Sequence, residues 1–333
     1  MRATDLAPRF VQLHQPSPGL SHPALIEGLM QTPAHVSPKY FYDALGSRLF
    51  DAITELPEYY PTRTEAAVFA QHGTEMARHV PSDAVLIDLG AGSCAKAARL
   101  FPVLQPCAYV PVDISVDYLR DTLAALQQRQ PELPMLGLGM DFSSRFDLGP
   151  LACDWLADRG FAQQARVVFY PGSSIGNFLP HEALALLCQV HAVCQAGGAG
   201  GGLLIGVDRI KPRAALESAY DDALGVTAAF NRNLLRHVNH LIGANFMPAA
   251  WQHAAFFNED ESRIEMHLQA IGAQTVRWCG GERRFDDGER VHTENSYKWA
   301  PEAFAALLRE AGFGDVLHWS DPKGWFSVFW ASA

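Results

Sequence analysis

The chain predicts a doubly wound α/β sheet, mostly parallel, with an antiparallel C-terminal strand and an inserted α+β domain. Three observations carry that prediction. From Ala84 to Asp208 short apolar runs alternate with amphipathic stretches, and glycines or acids stand where the runs end. After Asp208 this rhythm stops for roughly ninety residues. It resumes near Pro301 with one helix-like segment and two aromatic-rich runs. Alternating β and α signals of this kind indicate a parallel sheet covered by helices on both faces.

The elements follow in order. Residues up to about Leu29, rich in Pro, His, Gln and Ser, read as an irregular arm. Leu45, Leu49, Phe50 and Ile53 recur at helical spacing, so a short amphipathic helix is expected there, ended by Pro57. AVLIDLGAG is a continuous apolar run, as a strand buried on both faces reads. A helix over Lys96–Leu104 follows, then the strand YVPVDIS, a helix over Val116–Gln128 and the strand MLGLGMDF. RVVFYPGSSIGNF is a strand entering a loop, followed by a helix over His181–Cys194. The cluster AGGAGGG is expected to break the chain before a fifth strand, GLLIGVD. Residues 214–241 read as helical; Ala254–Phe257, Arg263–Ala270, Gln274–Trp278 and Arg290–Trp299 read as strands. A helix over Pro301–Ala311 precedes VLHWSD and WFSVFWAS, an antiparallel pair. The segmentation is thus 64–208 with 299–333 for the sheet domain, and 1–63 with 209–298 for the second domain.

Composition narrows the function classes. The 333 residues are 48% hydrophobic and 19% charged, enough to build a real core. Lys and Arg number 26 against 36 Asp and Glu, a formal net charge of −10. An acidic chain is poorly suited to phosphate backbones or anionic lipid, so neither nucleic acid nor membrane is expected as a partner. No run has the length of a membrane span, and MRATDLAPRF lacks a signal peptide's apolar core. Cys94, Cys107, Cys153, Cys188, Cys194 and Cys279 form no C-x-x-C pair or zinc-spaced cluster, and most read as small buried hydrophobes. The expected location is the reducing cytoplasm.

The chemistry concentrates at the strand ends. Asp88-Leu89-Gly90-Ala91-Gly92 closes the first strand, where glycines let backbone approach a ligand and the next helix offers its N-terminal N–H groups. Two cofactors fit. Gly90-x-Gly92-x-x-Ala95 satisfies a loose dinucleotide motif, and Asp113 stands 21 residues beyond Gly92, where a ribose-binding acid belongs. Against a nicotinamide dehydrogenase, Asp88 occupies a position usually kept apolar in dinucleotide folds. An acid there suits the cationic amino group of S-adenosylmethionine (SAM). Asp141 and Phe142 end the third strand, where an adenine could be hydrogen-bonded and stacked. The plainer alternative is that all three acids only cap loops.

Taken with the blocks YFYDALGSRLFDAITELPEYYPTRTE, DLGAGSCAK, VPVDIS, GSSIGNF, AYDDALGVTAAFNRNLL, IEMHL and TENSYKW, the chain from about Tyr40 onward resembles the histidine-specific SAM-dependent methyltransferases. These form Nα-trimethylhistidine (hercynine) on the route to ergothioneine. The resemblance implies a class I methyltransferase sheet with a substrate domain built from the N-terminal arm and the insertion. It implies SAM contacts from Gly90, Lys96, Asp113, Asp141 and Phe142. Substrate contacts are implied for Tyr59, Asn177, Tyr220 and Glu294, Asn295 and Ser296, with Met266 lining the side-chain pocket and Tyr42, the candidate catalytic residue, near the amine. Cys94 and Ala95 depart from the commoner wording of the glycine loop, whereas Lys96 is retained.

The chemistry agrees with those residue types. Methyl transfer from a sulfonium is an in-line displacement, so the site must chiefly position an uncharged amine. Asn177 and Tyr220 can hold a carboxylate, while Glu294 and Ser296 can serve the two imidazole nitrogens. No metal is required. His237 and His240, three residues apart, read as a polar helix face rather than ligands. Tyr42, Tyr59 and Met266 would by themselves read as core, Asn177 as a turn former, and Lys96 as a surface residue. The rivals are the same reaction on tryptophan, an NAD(P)-dependent dehydrogenase, and a non-catalytic SAM-binding protein.

Overall fold

The computed structural model describes residues 8–13 and 22–333. In chain order come β1 (Arg9–Gln12), α1 (Pro23–Met30), β2 (Ala34–His35), α2 (Ala44–Thr54) and α3 (Tyr60–Met76). β3 (Val85–Leu89), α4 (Ala95–Leu104), β4 (Ala108–Asp113), α5 (Val116–Arg129), β5 (Leu136–Gly139) and α6 (Gly149–Asp158) follow. Next are β6 (Ala165–Tyr170), α7 (Pro180–Gln195), β7 (Gly198–Asp208), α8 (Arg213–Tyr220) and α9 (Val226–Ile242). The rest is β8 (Trp251–Asn258), β9 (Arg263–Ala270), β10 (Gln274–Trp278), β11 (Gly281–Phe285), β12 (Arg290–Tyr297), α10 (Pro301–Glu310), β13 (Val316–Ser320) and β14 (Phe326–Ser332).

Two compact units result. One contains residues 8–13, Pro61–Ile210 and Trp299–Ala333; the other contains 22–60 and Lys211–Lys298. The first is built on an eight-stranded sheet of order β1-β5-β4-β3-β6-β7-β14-β13. Strands β1 through β7 of this sheet run parallel, and β14 and β13 are antiparallel additions at one edge. Side chains alternate between its faces. Val85, Ile87, Val110, Val168 and Ile205 pack with Trp155 of α6, Leu187 of α7 and Phe304 of α10. Leu86, Tyr109, Val167 and Phe169 pack with Val68 of α3, Leu100 of α4 and Leu123 of α5. A strand enclosed on both faces needs apolar residues at every position, which is why these segments read as unbroken apolar runs.

Several expectations need correction. The N-terminal region is not wholly irregular: Arg9–Gln12 pairs with β5, and Pro23–Met30 is helical. The segment 1–63 is therefore divided: residues 9–12 lie with the sheet unit, and the change back to that unit falls between Tyr60 and Pro61. The part of the arm at 1–7 and 14–21 lies outside the described residues. The glycine cluster does not break the chain but forms the first half of β7. Glycine is required there by close approach: a Cβ on Gly198 would stand 2.0 Å from Gln163 O, and one on Gly202 2.4 Å from Ala331 O. Helix α6 and strand β11 are elements the sequence expectations did not include. Cys94 and Cys194 are buried, whereas Cys188 and Cys279 are exposed.

The second unit holds a four-stranded sheet of order β2-β12-β9-β8 and the hairpin β10-β11. The helical region predicted as continuous over 214–241 is split into α8 and α9. Asp222 accepts from the Val226 and Thr227 N–H groups at 3.0 and 2.7 Å, and Gly225 takes φ of +73°. A short acceptor on the first free N–H groups starts a new helix at that point. Asp43 caps α2 through Gly46 N–H at 2.7 Å and also accepts from Asn233 Nδ2 at 2.8 Å. Phe41 stacks on Phe230 of α9 at 4.5 Å, so the chain on either side of Tyr42 is fixed to α9.

Candidate active site

In the sheet unit, the order of strands reverses between β3 and β6, and a ligand crevice forms at the carboxyl ends beside such a reversal. Gly90 and Gly92 follow β3 in the left-handed region, with φ of +65° and +48°. Asp113 ends β4, and its two oxygens accept from Gly92 N–H at 2.9 Å and Ser115 N–H at 2.8 Å. Burial raises its pKa, and those backbone donors oppose the rise. Asp141 lies two residues beyond β5 and binds Ser143 through N–H and hydroxyl. Phe142 stands edge-on to Tyr170 at 5.9 Å.

Asp88 is 1% exposed. Its Oδ2 accepts from Tyr109 at 2.6 Å, while its Oδ1 has no hydrogen-bond partner. Burial pushes its pKa up to about 7, with the Tyr109 bond pulling the other way. Lys96 points to Glu65, an acid the sequence reading missed. Lys96 Nζ meets Glu65 Oε2 at 2.7 Å, and Glu65 Oε1 accepts from Gly172 N–H at 2.7 Å. Glu65 closes the YPTRTE block, and its place directly before the apolar run Ala66–Phe69 was the available signal. Asn177 ends a short 3-10 turn after β6, beside buried Ile175 and Gly176. The Asp88 and Asp113 carboxyls, the glycine turn and the Phe142 ring are residue types that suit a cationic nucleoside: acceptors for an ammonium and for hydroxyls, and a ring to stack.

In the other unit, the acceptors and donors lie on β12. A bulge between His292 and Glu294 shifts the register, and Glu294 then pairs with Met266 of β9. A bulge re-aims every side chain beyond it. Glu294, Ser296 and Lys298 consequently share one face with Met266, and Thr293 Oγ1 donates to Met266 O at 3.0 Å. Asn295 takes the opposite face, where Nε2 of His292 lies 2.9 Å from its Oδ1. Its side chain is thus turned away from Glu294 and Ser296, a correction to reading the three residues as one contact set.

Glu294 is buried, and desolvation pushes its pKa up to about 8 against the pull of Lys298. Tyr220 Oη and Ser296 Oγ are 2.7 Å apart, and Lys298 Nζ reaches Ser296 Oγ at 2.7 Å and Tyr220 Oη at 3.2 Å. Tyr59 stands edge-on to Tyr220 at 6.2 Å. Tyr42 lies edge-on to Phe50 and Phe230 at 5.8 and 5.9 Å. His253 was also missed. Its Nε2 donates to Tyr220 O at 2.8 Å, and its Nδ1 accepts from Asn231 Nδ2 at 2.8 Å. A carbonyl can only accept, so Nε2 carries the hydrogen; burial, which lowers the His253 pKa, keeps the ring neutral. His237 contacts the carbonyl of Tyr40 at 2.7 Å, a structural bond.

A sheet of this order with acids and glycines at its central strand ends is that of a SAM-dependent methyltransferase of class I. Residues 21–333 match the model of the family described as histidine-specific methyltransferase, SAM-dependent, and the chain belongs to that family. A histidine N-alpha-methyltransferase of Mycolicibacterium smegmatis is 38% identical over 307 residues, covering 90% of this chain and 91% of that protein. The ergothioneine biosynthesis protein 1 of Neurospora crassa is 31% identical, covering 84% of this chain and 31% of its own length. A 4-dimethylallyltryptophan N-methyltransferase of Epichloe festucae var. lolii is 28% identical, covering 89% and 90%. Membership sets aside the nicotinamide reading of the glycine loop. Among the described residues no helix is long and apolar enough to cross a membrane.

Proposed function

We propose that the protein transfers methyl groups from SAM to the α-amine of L-histidine and continues to the trimethylated betaine, the hercynine of ergothioneine formation. The observation that carries this reading is the pairing of Glu294 and Ser296 on one strand face. Residues two apart on a strand are about 6.7 Å apart along its axis. Two hydrogen bonds of about 2.8 Å and an imidazole's nitrogen separation of about 2 Å span a comparable distance. A Glu294 carboxyl oxygen accepts from the imidazole N–H, and the Ser296 hydroxyl donates to the bare nitrogen. The relatives that methylate histidine support the same substrate.

Bound SAM supplies an electrophilic methyl on a sulfonium. The protein's part is positioning. In the sheet unit Asp113 is assigned to the ribose hydroxyls, Asp141 and Phe142 to the adenine, Gly90 and Lys96 to the amino-acid end of SAM, and Asn177 to the polar end of the substrate. In the other unit Tyr220 and Tyr59 are assigned to the amino-acid part, and Met266 to the ring pocket. Tyr42 is assigned to the amine, its oxygen accepting an N–H so that the nitrogen lone pair stays available. The proposed location is the cytoplasm, where the six thiols, all free in the structure, remain reduced.

Methylation of tryptophan is the second reading, favoured by the tryptophan-derivative enzyme among the relatives. An indole has an N–H but no acceptor nitrogen, which leaves Ser296 unmatched. Incubating the protein with SAM and a mixture of amino acids, and weighing the products, decides between them. Trimethylhistidine is expected; accumulation of dimethylhistidine with SAM in excess, or consumption of tryptophan instead, overturns the reading.

A further inference from the structure

We propose that the groove formed by α6, α7 and the start of β6 is a second ligand site, which takes a small organic monocarboxylate with Arg166 as the anion's partner. The groove is a cavity of about 630 Å³ within the sheet unit, lined in part by Arg166 and Gln189. That volume is in the range of small-molecule sites. The groove is separate from the crevice assigned to SAM. Arg166 pairs with Val85, the first residue of β3, whereas Gly90 follows the last. Arg166 therefore stands at the amino ends of the strands and the crevice at their carboxyl ends.

Arg166 carries the argument. It is 7% exposed, and among the described residues its hydrogen bonding is one contact, to Val193 O at 3.5 Å, the long limit for such a bond. No carboxylate of the described residues pairs with it. A guanidinium has five N–H donors, and burying its charge is costly unless an anion or several acceptors answer it. Val193 lies in the last turn of α7, where a helix end attracts cations; that accounts for one donor and leaves the others for a ligand. Gly197 makes room for the arginine stem, since a Cβ there would stand 2.7 Å from Arg166 Cγ. Gln189 adds a second donor. Its Oε1 accepts the Phe146 N–H, and a backbone N–H can only donate, so the amide turns its oxygen there and keeps its NH2 for another partner. At the rim Arg145 and Asp147 pair at 2.7 Å and cancel in charge. The lining thus carries the single net positive charge of Arg166, which suits one carboxylate. Phe146, Leu148, Cys153 and Val193 supply an apolar wall, which calls for an organic body on the anion.

The test is fluorine NMR of three probes of increasing length: 4,4,4-trifluorobutyrate, 4-fluorophenylacetate and 4-(4-fluorophenyl)butyrate. Each is titrated into protein saturated with S-adenosylhomocysteine and histidine, which occupy the methyl-transfer site, with the corresponding amide as the uncharged control. At least one acid is expected to bind saturably below about 10 mM and at least about tenfold tighter than its amide. Two variants locate the binding. Arg166→Met removes the charge, and Ala192→Trp, at an exposed position on α7, fills the groove. Each should weaken the acid at least about tenfold while SAM affinity by calorimetry stays that of the parent. If Arg166→Met does not fold, Arg145→Glu takes its place: that side chain is 83% exposed, and reversing its charge should weaken the acid severalfold and leave the amide unchanged. Saturable binding by none of the acids, an amide that binds as tightly as its acid, or an affinity unchanged in Ala192→Trp or in the arginine variant overturns the assignment.

Discussion

Glu65 holds Lys96 at 2.7 Å from inside the sheet unit, although 31 residues separate them in the chain. The acid is 1% exposed and the lysine side chain 35%, so the buried partner anchors the more exposed one. If Lys96 faces SAM, Glu65 sets where its ammonium stands. Glu65→Gln is expected to weaken SAM binding about tenfold, or roughly 1.4 kcal/mol. Glu65→Ala additionally strands the Gly172 N–H and should cost about 1–3 kcal/mol of stability. Calorimetry and thermal denaturation read the two effects separately. Unchanged SAM affinity in both variants would remove Lys96 from the cofactor's surroundings.

Asp113 shapes the glycine turn, and the proposed function gives it the ribose as well. Its oxygens shape the glycine turn through Gly92 and Ser115, and each retains acceptor capacity for a ribose hydroxyl. Asp113→Ala should therefore lower both SAM affinity, by tenfold or more, and the melting temperature. Asp113→Asn keeps one acceptor oxygen and should lose affinity with a smaller change in melting. Two variants that bind SAM like the parent would sink the ribose assignment.

Selection among amino acids is expected to reside in the side-chain pocket. Glu294→Ala removes the buried acceptor and frees volume. Activity on histidine should fall by at least about a hundredfold, with tryptophan becoming relatively better. Asn177→Ala should depress both substrates alike. The comparison is kcat/KM for histidine and tryptophan in the three proteins. An unaltered ratio in the Glu294 variant means that some other residue selects the ring.

Glu294 also ties stability to pH. Its folded pKa is raised to about 8 from 4.5. The folded state therefore binds the proton more tightly than the unfolded chain. The corresponding stabilisation is fully present below about pH 4.5 and is lost as pH rises through about 8. Relative to the parent, Glu294→Gln should flatten denaturant-measured stability over that window. A parent and variant with parallel pH profiles would show that the carboxyl is not held neutral by burial. Bound histidine, by presenting an N–H, should offset part of the loss at the alkaline end.

How much of this was legible in the chain depends on the range of the interactions. The alternation of buried strands and covering helices was readable because a strand enclosed on both faces must be apolar throughout, which leaves a local mark. The acids Asp88, Asp113 and Asp141 were readable as a set because each follows or ends such a run. Glu294 and Ser296 stood out through the motif resemblance. Other features left no local mark. The glycines of β7 look like a linker in sequence, and their need for a missing Cβ arises from Gln163, Arg166 and Ala331, contributed by other parts of the chain.

By itself the sequence determined the α/β class of the sheet unit, most of its strands from β3 onward, and the methyltransferase family. Only the tertiary structure decided the directions of the side chains. Strand alternation puts Asn295 opposite Glu294 and Ser296, but it is the bulge after His292 that decides which of the two sets lies on the face of Met266. Burial pushes the Glu294 pKa up to about 8, and folding brings Lys298 to the phenol of Tyr220, 78 positions earlier in the chain. The physical reason is common to all three. Strand register, desolvation and the direction of a hydrogen bond belong to pairs of residues brought together by folding, and no single position in the chain encodes them.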